Sequence, residues 1–243
     1  MYASPVLATR ALAGDAAKSR MKKRAIVAKP VDRSAGAGSA RLPGPLEHAT
    51  FVAGATAAAQ LPHEGAREIA FAGRSNAGKS SAINALARQN RLAFASRTPG
   101  RTREINFFRL RSGALVADLP GYGYAAVPAA LKRSWQDFLW SYVTTRSTLV
   151  GLVLIVDARH GVKALDADLL ATYLPSGRPV LVLATKIDKL NVAEGRAAVA
   201  AIGASLHERF GAAAERVRVV GFSATTRRGL AEADAILCDW LGW

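Results

Sequence analysis

The stretch Gly73-Arg74-Ser75-Asn76-Ala77-Gly78-Lys79-Ser80 constrains this chain more than any other. It follows the pattern G-x-x-x-x-G-K-S and stands between a short apolar run, residues 68–72, and a segment with helical spacing, residues 79–89. A strand, a glycine-rich turn and a helix in that order form a loop whose N–H groups converge, with the positive end of the helix behind them. Such a loop receives phosphate oxygens. Lys79 is placed to neutralise the outer phosphates. Ser80 is placed to put its hydroxyl on Mg²⁺, which takes few protein ligands and completes its shell with phosphate and water. The pattern alone does not choose between ATP and GTP.

Around this unit the chain alternates apolar runs of strand length with helical stretches. The runs predict strands at 68–72, 104–110, 114–118, 149–157, 179–185 and 217–222, and helices at 79–89, 128–146, 165–174, 192–210 and 229–241. The expected fold is therefore α/β, a doubly wound, mostly parallel six-stranded sheet with helices on both faces. In such sheets ligands sit outside the carboxyl ends of the strands, so the loops after the strands should carry the function.

Those loops are informative. After the third predicted strand comes Asp118-Leu119-Pro120-Gly121, where a carboxylate can reach Mg²⁺ through water and a glycine N–H can meet a γ-phosphate. Upstream, Thr98-Pro99-Gly100-Arg101-Thr102-Arg103-Glu104 lies where a threonine that ligates the metal only in the triphosphate state is expected. Thr102 is the candidate and Thr98 the second choice. After Gly121 stands Tyr122, where many small GTPases place a glutamine that orients the attacking water, so hydrolysis should be slow unless a cation, another group or a partner does that work. Asn76 carries two readings: its side-chain carbonyl helps hold a monovalent cation such as K⁺ beside the phosphates, or it only tolerates a tight turn. No catalytic side chain is assigned.

The fifth predicted strand runs into Thr185-Lys186-Ile187-Asp188. A carboxylate at Asp188 accepts from the N1–H and N2–H₂ edge of guanine, and adenine lacks that donor pair. The aliphatic stem of Lys186 can lie over a purine ring. The last strand leads into Phe222-Ser223-Ala224, whose N–H groups can meet the guanine O6. Four motifs in this order read as a GTP- and GDP-binding site with Mg²⁺ held by Ser80 and Thr102.

These residues resemble the EngB family, also called YihA or YsxC, of the Era-like branch of P-loop GTPases. The resemblance runs from about His48 to the C-terminus and rests on GRSNAGKS, on TPGRTREINFF from Thr98, on ADLPGYGYA from Ala117, on DARHG from Asp157 followed by Asp166, on TKID and on FSA with Gly229. Thr185, unusual among GTPases, is ordinary for this family. The resemblance implies GTP and Mg²⁺ binding, assembly of the large ribosomal subunit, a requirement in cell division and septation, and a cytoplasmic location. Gly161-Val162, where proline is usual, and the long start depart from the family pattern.

That start, residues 1–45, is rich in Ala, Gly, Ser and Pro with a cluster from Lys18 to Arg24, and reads as a disordered basic arm ahead of a domain at 46–243. It is a nucleic-acid tether, a transit peptide, or an over-long start with Met21 as the initiator. Against 18 acidic residues stand 33 Lys and Arg, a net charge of +15, which points to an anionic partner, rRNA or the large subunit first. Arg88, Arg91, Arg97, Arg101, Arg103, Arg109 and Arg111 suggest a cationic face beside the first switch, unless they are only a solvated surface. The single Cys238 favours a reducing setting, and no apolar run approaches the ~18 residues of a membrane span. A monomer is expected. A septin-like structural protein that polymerises at the division site is the alternative; an ATP-using phosphotransferase would need an acceptor pocket or lid that the short connections leave no room for.

Overall fold

The computed structural model describes residues 43–63, 66–93, 104–122 and 129–243, the stretch 129–136 as backbone only. These belong to one compact unit, Leu42–Trp243. Its seven strands are β1 (Thr50–Ala55), β2 (Glu68–Gly73), β3 (Ile105–Arg109), β4 (Leu115–Asp118), β5 (Leu149–Asp157), β6 (Val180–Thr185) and β7 (Val217–Gly221). Its helices are α1 (Lys79–Ala87), α2 (Ala129–Thr145), α3 (Ala164–Tyr173), α4 (Val192–Phe210) and α5 (Leu230–Leu241).

The sheet order is β1-β3-β4-β2-β5-β6-β7, parallel from β4 to β7 and antiparallel where β3 meets β4 and β1 meets β3. The α/β expectation is met with one strand more than six. The missed strand, β1, reads TFVAGA: its small residues give no apolar period, and Phe51 and Val52 are exposed on the edge. Strands β2, β4 and β6 are buried at every residue and β5 at all but Val150, as parallel strands covered on both faces must be.

Alternate residues of these strands feed two cores. On one face, Ala70, Leu152, Leu154 and Val182 pack with Tyr142 of α2, Leu170 of α3 and Ile202 of α4. On the other, Ile69, Phe71, Val153 and Leu183 pack with Ile83 and Leu86 of α1 and Leu237 of α5. Each such side chain, withdrawn fully from water, stabilises the fold by about 1.5–3 kcal/mol. A buried network adds specificity at the start of β2, where Glu68 is fully buried. Its carboxylate takes Arg146 Nε at 3.0 Å on each oxygen and the Tyr142 hydroxyl at 2.9 Å. Arg146 also donates to the Pro62 carbonyl at 2.7 Å, so the end of α2 is pinned to the sheet.

The approach to β1 is equally fixed. Leu46 is buried, and Arg88, in the left-handed region at the end of α1 (φ 53°), pairs with Glu47 and with Asp234 of α5. Arg88 therefore does not belong to a free cationic face: two carboxylates neutralise it inside the fold. Arg91, Arg109 and Arg111 are exposed. Trp140 is partly buried against the core of its helix. Among the described residues no helix is long and apolar enough to cross a membrane.

Candidate functional site

Chain order reverses at β2, whose neighbours are β4 on one side and β5 on the other. A crevice opens beyond the carboxyl end of a strand so placed, and here it receives the loop 73–80. Two glycines shape that loop. Gly73 lies so close to β5 that a Cβ would stand 2.8 Å from the Ile155 carbonyl oxygen, and Gly78 has φ 100°. Asn76, at φ 64°, occupies the left-handed region that asparagine tolerates, and its side chain is exposed. The turn reading of Asn76 thus has its geometry, and the side chain remains available to a ligand.

The result is a set of aligned donors. Among the described residues the N–H groups of Asn76, Gly78, Lys79 and Ser80 donate to no backbone acceptor, and the first bond of α1 runs from Ala82 N–H to the Gly78 carbonyl. Unmatched N–H groups at a helix start call for an anion. Lys79 Nζ is paired with the Asp118 carboxylate, both largely buried, at the end of β4. Asp118 is thus brought to the phosphate loop, as the sequence predicts. Gly121 lies against Ser75, whose Oγ would be 3.1 Å from a Cβ there.

Thr185 and Lys186 tie the base loop to the phosphate loop. The Thr185 hydroxyl lies 2.5 Å from the Ala77 carbonyl oxygen and 3.1 Å from that of Val156; its one proton, given to the nearer, links β6 to the loop 73–80. Lys186 sits at φ 61° and donates from Nζ to the Asn76 carbonyl at 2.6 Å. The same ammonium lies 3.0 Å from Asp157 Oδ2. Asp157, paired across the sheet with Thr185, also accepts from Arg159 Nε at 3.0 Å and Nη2 at 2.7 Å. Burial pushes the Asp157 pKa up, but the bonds from Arg159 and Lys186 outweigh it and hold the carboxyl well below the usual range. Sequence reasoning gave Lys186 only a stacking role. Its contact with Asp157 is not read from the sequence, where DARHG serves only as one of the motifs of the resemblance.

Asp188 lies in a single 3₁₀ turn, Ile187–Lys189, after β6. The fully buried Ser223 side chain donates to its carboxylate and, as the largest influence, lowers its pKa, so it stays an ionised acceptor. Ser223 Oγ in turn accepts from Thr226 N–H at 3.1 Å. The residues at 222–224 need a correction. Phe222 N–H donates to the Ala184 carbonyl at 2.8 Å and Ser223 N–H to that of Arg228 at 3.0 Å, because β7 and the turn behind it require those bonds. Ala224 is left as the one of the three whose N–H meets no backbone acceptor among the described residues, and Ser223 acts by its side chain.

Ile187 and Leu119 are core residues, and Pro120 is buried between Leu119 and Gly121. Leu119 N–H donates to the Phe71 carbonyl at 2.9 Å, which fixes the path of the chain from Asp118 to Gly121. Glu104 stands just before β3, at the sheet end that carries Asp118, since Asn106 pairs with Asp118; its carboxylate lies against Gly54 of β1. Thr98, Gly100, Arg101, Thr102 and Arg103, with Arg97 and residues 1–42, lie outside the described residues.

This geometry joins a cradle of donors, a lysine, the Asp118 carboxylate and, separately, the Asp188 carboxylate at one sheet end. Residues 68–186 match the family model described as 50S ribosome-binding GTPase. The EngB protein of Azoarcus sp. strain BH72 is 50% identical over 181 residues, which cover 74% of this chain and 85% of that protein. The chain belongs to the EngB family of GTP-binding proteins. The EngB protein of Bordetella pertussis strain Tohama I is 48% identical over 204 residues, 81% of this chain and 96% of that one. A crystal structure of an EngB protein superposes with a TM-score of 0.57 at 21% identity, covering 72% of this chain and 98% of that one. Era in complex with MgGDPNP and nucleotides 1506–1542 of 16S ribosomal RNA superposes at 0.55 with 21% identity, over 73% of this chain and 57% of that one. Both likenesses speak for the fold.

Proposed function

We propose that this EngB-family chain binds GTP and GDP, hydrolyses GTP with a slow intrinsic rate, and uses the difference between the two as a switch in assembly of the large ribosomal subunit. The observation that carries the reading is the joint placement of the N–H groups of Asn76, Gly78, Lys79 and Ser80, unmatched by backbone acceptors among the described residues, with the Lys79–Asp118 pair and the ionised Asp188 at one sheet end. An incoming β/γ-phosphate takes Lys79 from Asp118 and satisfies the loop's donors. The freed Asp118 carboxylate then faces the metal side of the phosphates.

The residues fit Mg²⁺. Among the described residues no three His, Cys, Asp or Glu side chains gather into a cage, and a hard cation held chiefly by phosphate and water needs none. Ser80 and Thr102 would ligate it directly and Asp118 through water; the ion would neutralise charge developing on the β- and γ-oxygens. Asn76, with its exposed side chain, would add a K⁺ ion beside the phosphates in place of an arginine. Replacing K⁺ by Na⁺ then slows hydrolysis, and equal rates in the two salts refute the cation.

The ribosomal role rests on the family model's description as a 50S ribosome-binding GTPase and on the net charge of +15. We assign the exposed Arg91, Arg109 and Arg111, with Arg101 and Arg103 of the first switch, to rRNA phosphates, and the basic residues 1–45 to a tether. A cytoplasmic monomer needed for normal division and septation follows from this reading. Co-sedimentation with ribosomal subunits across GDP, GTP and a non-hydrolysable analogue, at several salt concentrations, tests it. Binding to the large subunit that depends on nucleotide and falls with salt is expected; equal binding in every nucleotide state overturns the switch.

A further inference from the structure

Tyr122, the residue in the place of the usual glutamine, has a bonded and buried side chain. It is 7% exposed, and its hydroxyl donates to Asp166 Oδ1 at 2.7 Å. Asp166 is itself 2% exposed, and its other oxygen, Oδ2, accepts from the N–H of Lys163, the residue that precedes α3. Both carboxylate oxygens are thus engaged, one in starting a helix and one in holding a tyrosine 44 residues away. Burial and the neighbouring Asp166 push the phenol well above its ordinary pKa, so it remains a donor.

The main chain of Tyr122 is held too. Its carbonyl accepts from Ser75 N–H at 3.1 Å and its N–H faces the Gly73 carbonyl at 3.4 Å, a one-residue parallel bridge to Arg74. The segment from Asp118 to Tyr122 therefore lies zipped to the phosphate loop by its backbone and anchored to α3 by its last side chain. Asp166 also lines the cleft of about 240 Å³ that Arg74, Ser75 and Asn76 border, which puts the anchor at the rim of the loop.

We infer that the Tyr122–Asp166 hydrogen bond is a positioning contact for GTP hydrolysis: it fixes the arc that carries Gly121, so that the Gly121 N–H is held toward the terminal phosphate. The inference rests on the reading of the site as one for GTP. Tyr122 takes no proton and touches no nucleotide in this role. It acts through the backbone it anchors, adding a side-chain restraint to the two main-chain bonds that already join Tyr122 to the phosphate loop. The tether belongs to the hydrolytic step and not to base or α-phosphate recognition, which lie with Asp188 and the loop 76–80.

The test compares the full chain with Tyr122→Phe, Asp166→Asn and the double variant in steady-state GTP hydrolysis, GDP titration and thermal melting. The phenylalanine keeps the ring in the core and removes only the hydroxyl. Expected is a kcat about tenfold lower in each single variant, the net worth of one charge-assisted hydrogen bond. KM for GTP and Kd for GDP stay within twofold. The double variant is no slower than the slower single, because either change removes the same contact. A Tyr122→Phe kcat within twofold of the parent overturns the inference, as does a double variant whose losses multiply. Equal loss of kcat and GDP affinity also overturns it, since that is general damage to the site. Should Asp166→Asn fail to fold for want of the α3 cap, Tyr122→Phe alone decides. A parent chain that binds no GDP and hydrolyses no GTP refutes the proposed function instead, so the two failures are distinguishable.

Discussion

Two cation–carboxylate pairs stand at opposite ends of β2, and they differ in how many bonds hold them. At the start of the strand, Glu68 and Arg146 meet through several hydrogen bonds, with Tyr142 and the Pro62 carbonyl satisfying what remains. At the other end, past Gly73, Lys79 meets Asp118 through a single contact, beside N–H groups that have no backbone partner among the described residues. The first pair is closed and the second is open. The difference teaches that burial alone does not mark a functional ion pair: under the proposed function it is the pair whose neighbours are left unsatisfied, because a ligand must be able to replace it.

Breaking either pair sharpens the contrast. Glu68→Ala leaves the Arg146 charge buried and should lower stability by about 3–5 kcal/mol in urea unfolding, while nucleotide affinity of the folded fraction is kept. A loss below about 1 kcal/mol would mean that water reaches the network. Lys79→Ala should act mainly on binding. Stability falls less than in Glu68→Ala, by about 1–3 kcal/mol, because the largely buried Asp118 loses a single contact rather than a bonded network. GTP affinity falls about 10- to 100-fold, as one charge-assisted contact to phosphate is worth about 1.5–3 kcal/mol. Equal loss of stability in the two variants would erase the distinction.

In the proposed reading Asp188 belongs with the open end. Asp188→Asn should weaken GTP binding by about 100-fold and shift preference toward xanthine nucleotides, since the amide donates where the carboxylate only accepts. Unchanged GTP affinity in that variant would remove Asp188 from base recognition. The smallest expected effect is that of Ser223→Ala, about fivefold in affinity for the loss of about 1 kcal/mol. Its sign in pH is definite. The Ser223 hydrogen bond lowers the Asp188 pKa, so the carboxylate of the parent stays charged below its ordinary value. Without that bond it protonates sooner, and affinity declines at a higher pH on acidification. Superimposable pH profiles for the two proteins would contradict that role.

Much of this was legible in the sequence, and the reason lies in local signals. The apolar runs of β5 and β6 and the glycine-rich turn before α1 each carry their structure within about ten residues, as strand and loop chemistry do. Lys79, Ser80, Asp118 and Asp188 stand where that reading puts them, at the carboxyl ends of β2, β4 and β6. What escaped was set by distant partners. Edge strand β1 shows itself only through its pairing with β3. The Tyr122–Asp166 bond spans 44 residues, Lys186 reaches the Asn76 carbonyl across 110, and Arg88 is neutralised by Asp234 across 146. A single chain read alone marks such side chains as charged or polar, and only the fold decides which of them face water. The N–H groups of Phe222 and Ser223 escaped for the same reason, since the bonds that engage them come from β6 and from Arg228.

The most direct test of the account is calorimetric titration of the purified chain with GTP, GDP and ATP in the presence of Mg²⁺. Binding heat with both guanine nucleotides and none with ATP is the predicted result. No heat with GTP or GDP, or equal heat with ATP, would contradict the claim that the open end of β2 is a guanine-nucleotide site.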